Sequence, residues 1–349
     1  MRHARHLKPP RHKCHKGRAW QASHRIRIEY RPLVSATVTT TPPVPESALF
    51  AAGDQVQLTD ARGRMHTITL MPGQRFHTEK GGIDHDDLIG SSEGVVVTSS
   101  KGTAYLALRP LLHDFVMSMP RGATIIYPKD AALIMAFADI GPGMRVLEAG
   151  AGSGALSCWL LRGVTPTGHL TSVERRPDFA EIAQRNVTKY FGEKPENWAL
   201  HIGALEQVAP EGPFDRVVLD LLNPWDMLEV VADCLRPGGV LCAYVATTTQ
   251  LSRTVETLRA TGGWTEPKAS ETIQRGWHVE GLAVRPDHRM VGHTAFLVYS
   301  RRLAPGVSAP AKRSRPAKGA YGEDYTGPRA PAATGQVEST STGNPAEDV

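Results

Sequence analysis

The stretch VLEAGAGSGAL, Val146 to Leu156, decides how this chain is read. An apolar run with strand character stops at Glu148-x-Gly150-x-Gly152-x-Gly154, and a helical pattern resumes at Ala155. Glycines between a strand and a helix permit a tight turn with positive φ and let a ligand approach the backbone closely. The spacing is G-x-G-x-G, not the G-x-G-x-x-G of dinucleotide sites, which argues against a nicotinamide oxidoreductase. A smaller ligand with a carboxylate at the helix N-terminus suits the loop better.

The next strand-like run, HLTSVE, ends in Glu174. An acid there can accept both ribose hydroxyls of an adenosine. It can also be an ordinary carboxylate at a strand end. Loop and acid together fit S-adenosylmethionine, with its amino-acid end over the glycines and its ribose on Glu174.

Working outward, strand and helix signals alternate from about residue 127 to 302. Helices are predicted over Asp130–Ile140, Ala155–Arg162, Pro177–Phe191, Trp225–Leu235 and Gln250–Ala260. Strands are predicted over MRVLEAG, HLTSVE, WALHIG, DRVVLDLL, GGVLCAYVA and HTAFLVYS. This alternation implies a Rossmann-like α/β fold, a mostly parallel sheet with helices on both faces. Before it, residues 51–120 read as a small β-rich domain. Apolar and polar residues alternate there around Gly63 and Gly102, as in hairpins. The four segments are therefore a basic tail and linker over 1–50, the β domain over 51–120, the α/β domain over 121–302, and a Pro/Ala-rich tail over 303–349. Both tails are predicted to be disordered.

The chain has 349 residues and a net charge of +5, which conceals its distribution. Residues 1–32 carry +9, residues 301–349 carry +2, and the middle carries −6. Nucleic acid, if bound, must therefore meet a local basic patch rather than a generally positive body. No apolar run approaches the roughly 18 residues of a membrane-spanning helix. The four cysteines form no C-x-x-C pair, and Cys158, Cys234 and Cys242 sit in apolar stretches, as buried reduced thiols of a cytoplasmic protein would. The histidines His66, His77, His85 and His113 lack metal-ligand spacing, so no metal is expected.

A second informative stretch is VVLDLLNPW, Val217 to Trp225, where a strand ends in Asp220 and Asn223-Pro224 follows. Asp220 is either the cap of the following turn or a group facing the substrate. Asn-Pro reads as turn chemistry. Trp225 can stack on a base or pack against the core. Thr247 to Gln250 can line a pocket or cap a helix.

With RPLLHDFVMSMPRGATIIYPKDAA, VATTTQ and VGHTAFLV, these stretches resemble the bacterial tRNA (adenine-N1)-methyltransferases of the TrmI type, over roughly 51–302. Those enzymes act on the adenine at tRNA position 58. The resemblance implies a seven-stranded methyltransferase domain, an N-terminal β domain, a homotetramer, and tRNA as partner. It places the cofactor on Glu148, Gly150, Gly152, Ser153, Gly154, Ala155, Leu156, Glu174, Phe179 and Glu206, with Asp220 beside it as the catalytic acid. Arg121, Tyr127, Lys129, Trp225, Thr248 and Gln250 fall on the substrate side. Adenine N1 attacks through an in-plane lone pair and becomes cationic, so a carboxylate that accepts from the amino group and faces the developing charge suits the reaction. That selects Asp220 over the neutral Asn223. A class I methyltransferase acting on a protein carboxylate or small molecule, or a noncatalytic RNA-binding partner, is the alternative.

Overall fold

A computed structural model describes residues 49–310. The basic N-terminal tail and most of the C-terminal tail lie outside the described residues, as does Cys14.

The described residues begin with a four-stranded antiparallel sheet. Its strands are β1 (Gln55–Asp60), β2 (Met65–Thr69), β5 (Val95–Thr98) and β6 (Ala104–Leu108), in the order β2-β1-β6-β5. Gly63 and Gly102 turn the two expected hairpins with φ of 75° and 80°. Val56, Leu58, Tyr105 and Ala107 alternate inward and close a small core with Phe50 and Leu70. A third hairpin, β3 (Arg75–Thr78) with β4 (Gly81–Asp84), was not expected. Its RFHT and GGID are short and mixed in character, with little alternation to read. His85 is buried, and its Nδ1 accepts the Met71 amide at 3.0 Å, so it is a satisfied core histidine.

Helix α1 (Leu112–Ser118) already belongs to the next core. Leu112, Phe115 and Val116 are buried among residues of the large sheet, so the packing changes before α1 rather than at residue 120. The following elements are α2 (Pro128–Phe137), β7 (Arg145–Ala149), α3 (Ala155–Val164), β8 (His169–Glu174), α4 (Pro177–Phe191), β9 (Trp198–Ile202) and α5 (Leu205–Val208). Then come β10 (Phe214–Leu219), α6 (Leu228–Cys234), β11 (Leu235–Val245), α7 (Thr248–Thr261), β12 (Lys268–Glu271), the hairpin β13 (Trp277–Glu280) and β14 (Ala283–Pro286), and β15 (Phe296–Arg301).

Seven of these strands form one sheet in the order β12-β15-β11-β10-β7-β8-β9. The pairs from β11 to β9 are parallel, while β15 runs antiparallel to both neighbours. Strands buried on both faces are continuously apolar, which is why VVL of β10 and VLCAYV of β11 were legible. Two apolar layers, one on each face, hold the sheet. Cys158, Cys234 and Cys242 are free and buried in them, as expected. The strand order reverses between β7 and β10, and the crevice above their C-terminal ends is where open α/β sheets bind ligands.

Candidate active site

The glycine loop leaves β7 at this crevice. Gly154 caps α3 with φ of 80°, and a Cβ there would lie 3.0 Å from the Ala183 carbonyl oxygen. Backbone conformation and close packing against α4 both require glycine. Gly150 does a different job. A Cβ on it would point between the ends of three strands, 3.3 Å from the Asp220 carbonyl and 3.5 Å from Glu174 Oε2. Its missing side chain keeps the floor of the cleft open.

Glu174 sits at the end of β8, nearly buried. Its two oxygens accept the amides of Gly152 (2.9 Å) and Arg176 (3.0 Å), so the carboxylate is fixed against the loop with lone pairs to spare. Glu148 was expected to face the cofactor. The structure places it beneath the loop instead, with only 1 % of its surface accessible. Its Oε2 accepts Ser157 and Ser172 hydroxyls, both at 2.6 Å, and Ser172 in turn takes the Trp198 indole N–H at 3.0 Å. Ser153 is turned away as well. Its hydroxyl accepts the amides of Gly122 (3.1 Å) and Ala123 (3.3 Å), tying the PRGAT segment to the loop, and buried Asn186 bonds its carbonyl. Ala155 and Leu156 are buried in the first turn of α3. Phe179 packs against Gly122, with the Arg176 guanidinium 3.6 Å above its ring centre.

Asp220 follows the last residue of β10, and its amide donates to the Ala149 carbonyl at 2.6 Å. No described side chain hydrogen-bonds its carboxylate. Burial, and after it the charge of Glu174, push the group up to about 7. Burial likewise raises Glu148 to about 7 against the opposing serine bonds. Three carboxylates thus converge on the ends of β7, β8 and β10, and the charge of Glu174 adds to burial in raising the proton affinity of Glu148 and Asp220. Such a site suits a ligand that brings positive charge. S-adenosylmethionine, with its sulfonium and ammonium groups, fits this donor set and the open floor at Gly150.

The substrate-side residues divide. Lys129, expected to meet RNA, is corrected by the structure. Its side chain is 5 % exposed, and its three protons go to Asp130 (2.7 Å), Thr294 Oγ1 (2.6 Å) and the Thr272 carbonyl (2.8 Å), leaving none for a phosphate. Gln250 caps α7: its Oε1 takes the amides of Ala246 and Thr247, and its Nε2 donates to the Leu222 carbonyl. Thr248 is exposed in the first turn of that helix, and Thr247, not Thr248, is the capping residue. Trp225 is half-buried under the Arg253 guanidinium, 4.4 Å from its ring centre, so it packs. Arg121 is exposed and bonds the Met117 carbonyl at the end of α1. Tyr127 is half-buried before α2. Glu206 is exposed and borders a shallow recess with Gly212, Pro213 and Asp233, near where β10 begins rather than where it ends.

Sequence reasoning assigned no role to Tyr244 or Thr294. Burial, with the charges of Asp130 and Asp220, pushes the Tyr244 hydroxyl up, and Thr294 lies beside it. Thr294 belongs to VGHTAFLV, one of the stretches that carry the resemblance.

Comparison with known proteins identifies this architecture. The family described as TrmI-like N-terminal matches residues 49–97, and the family described as tRNA methyltransferase complex GCD14 subunit matches residues 104–285. The chain belongs to the TrmI-type tRNA methyltransferase family. It is a methyltransferase that depends on S-adenosylmethionine. The tRNA (adenine(58)-N(1))-methyltransferase TrmI of Thermus thermophilus is 39 % identical over 246 residues, 70 % of this chain and 95 % of that protein. The tRNA (adenine(57)-N(1)/adenine(58)-N(1))-methyltransferase TrmI of Methanocaldococcus jannaschii is 31 % identical over 70 % of this chain and 93 % of its own length. Among solved structures, tRNA (m1A58) methyltransferase TrmI from Aquifex aeolicus superposes with a TM-score of 0.64 at 27 % identity, covering 73 % of this chain and 99 % of that one. A Thermotoga maritima protein described as an S-adenosylmethionine-dependent O-methyltransferase superposes with a TM-score of 0.70 at 28 % identity, covering 74 % and 96 %.

Proposed function

We propose that this TrmI-family protein methylates N1 of the adenine at tRNA position 58, and that Asp220 is its catalytic residue. The observation that carries this is a carboxylate at the topological switch point, beside the glycine loop, with no donor on its oxygens among the described residues. A group placed there can take the adenine amino N–H. S-adenosylmethionine, when bound, supplies the methyl as a sulfonium substituent.

Asp220 does two things in this reading. It orients the base by accepting from N6, so that the N1 lone pair faces the cofactor end of the cleft. It also lowers the energy of the positive charge that forms on the ring, an interaction stronger in the transition state than before it. Its raised proton affinity matters here, because only the ionised form does the second job. Glu174 receives the ribose hydroxyls on its remaining lone pairs. Glu148 and Ser153 act indirectly: one supports the loop from beneath, the other joins it to residues 122–123. Glu206 is left outside this cluster.

The target adenine must leave its stack in the folded tRNA to reach Asp220. In this reading Arg121, Tyr127 and Thr248 meet the tRNA, together with cations of the N-terminal sheet. Two readings from the sequence have support beyond the cleft. A homotetramer gives the β13–β14 hairpin a surface to cover, since Trp277, Val279, Leu282 and Val284 are all more than half exposed. A tRNA substrate puts the protein in the cytoplasm.

The test is to incubate purified protein with unmodified tRNA and labelled S-adenosylmethionine and to map the product. Label at N1 of adenine 58 is expected. Label on protein, or on a ribose or carboxylate oxygen, overturns the reading.

A further inference from the structure

The segment between β12 and β15 leaves the sheet as an arm, and His293 stands at its returning foot. Ring atom Nδ1 faces Glu271 Oε1 at 2.7 Å, and Nε2 faces the Ala246 carbonyl at 2.6 Å. Both partners can only accept, provided the carboxylate is ionised. A neutral imidazole has one N–H and would set a lone pair against one of them, whereas the imidazolium donates to both. The ring also lies against Phe296, with centroids 4.7 Å apart.

What these bonds reach is the substrate end of the cleft. Ala246 follows β11, the strand beside β10. Its amide donates to Gln250 Oε1 at 3.1 Å, and Gln250 Nε2 donates to the Leu222 carbonyl at 2.9 Å, two residues beyond Asp220. Leu222 itself is 82 % exposed, so its side chain adds no packing that would hold this loop. The route from the arm to the loop is therefore a series of polar contacts: Glu271, His293, Ala246, Gln250, Leu222.

We propose that His293 is a positioning residue for methyl transfer, which locks Ala246 to the foot of the arm and, through Gln250, holds the Asp220–Asn223 loop in place. This rests on the role given to Asp220 above. Two charged groups act on the ring from the packed elements. Glu271 of β12 favours its charged form, and Lys129 of α2 opposes it. The Ala246 contact, and after it the Glu271 contact, hold its proton affinity above the ordinary histidine value. The clamp is thus complete below that raised value and loses one bond as the pH rises through it.

Two variants test the route from opposite ends. His293→Phe keeps a ring against Phe296 and removes both donors. Gln250→Met breaks the next link without touching the arm. Each is expected to lower kcat on tRNA by about tenfold, the scale of a small misplacement of a reacting group. The KM for S-adenosylmethionine should stay within about twofold. The wild-type kcat profile should fall on its alkaline side, and this limb should vanish in both variants. The double variant should be no worse than either single one, because both cut one chain of contacts. Hydrogen–deuterium exchange of the unliganded protein gives a readout independent of turnover: peptides covering 221–228 should exchange faster in each variant, and those of β7 should not. A His293→Phe protein with the wild-type pH profile and wild-type exchange overturns the proposal, and so do additive losses in the double variant. A wild-type protein that does not methylate adenine overturns the reading of Asp220 instead, while the exchange result still decides the link.

Discussion

The two ends of the cleft are built on opposite plans. At the glycine-loop end, most polar side chains are committed within the protein: Glu174 to the loop amides, Ser153 to residues 122–123, Asn186 to Ser153, and Ser157 and Ser172 to Oε2 of Glu148, whose buried Oε1 is left without a partner among the described residues. At the substrate end, the Asp220 carboxylate has no described partner and Leu222 projects into solvent. The loop there is steadied from behind, by Leu221 on the core and by Gln250 on the Leu222 carbonyl. One end is preorganised for a single invariant ligand. On the function proposed above, the other leaves its hydrogen-bonding capacity for a base that must first be drawn out of a folded RNA. Satisfied polar groups rigidify a site, and an unsatisfied one marks where the ligand completes it.

The sharpest way to break this comparison is Asp220→Asn. If the charge at the substrate end does the work described, kcat falls by about a hundred- to a thousand-fold, the cost of removing one preorganised electrostatic group. Calorimetric affinity for S-adenosylmethionine should change little. Near-normal turnover would erase the distinction between the two ends. Next in size is Lys129→Met. Removing one member of a buried ion pair should cost about 3 kcal/mol of unfolding free energy in denaturant titrations. The salt dependence of tRNA binding should not move, because Lys129 has no proton left for a phosphate. Gly154→Ala tests the preorganised end. A left-handed φ imposed on alanine costs about 1–2 kcal/mol, and the contact with Ala183 adds to it. Both Tm and cofactor affinity should drop, whereas the same change at exposed Thr248 should alter neither.

A further effect is in stability against pH. The folded-state proton affinity of Asp220 is raised from an ordinary 3.8 to about 7. Its contribution to stability is therefore fully present below the ordinary carboxylate value and is lost as the pH rises through about 7. Asp220→Asn should match wild type in Tm near pH 4 and exceed it at pH 8. The active-site charge would then be one that the fold holds at a cost, as functional groups often are. A lower Tm for the variant at pH 8 would contradict the half-buried, unpaired carboxylate described here.

How much of this was readable follows from the same contrast. The glycine loop and the strand ending at Glu174 were legible because backbone conformation and a parallel sheet buried on both faces constrain residue type directly. Asp220 was legible as the end of an apolar run. Whether Glu148 and Ser153 face the ligand was not, since a side chain one position over looks the same in sequence and turns beneath the loop. Lys129 misled for a related reason. A lysine beside an aspartate at a helix start reads as a surface cation, and its burial depends on Thr272 and Thr294, more than a hundred residues away. The short strands β3, β4, β13 and β14 escaped because they form small two-stranded ribbons, which impose little alternation on their residues.

The position of β15 has a consequence for the order of assembly. It lies between β11 and β12, and β12 has no other neighbour in the sheet. A nascent chain must therefore deliver residues 296–301 before β12 can dock. Until then, β11 presents an unpaired edge that is largely apolar, the kind of surface that recruits other chains. Synthesis interrupted before Phe296 would leave the glycine loop and Asp220 already encoded on an open sheet, and such a chain should aggregate rather than persist as a smaller folded enzyme.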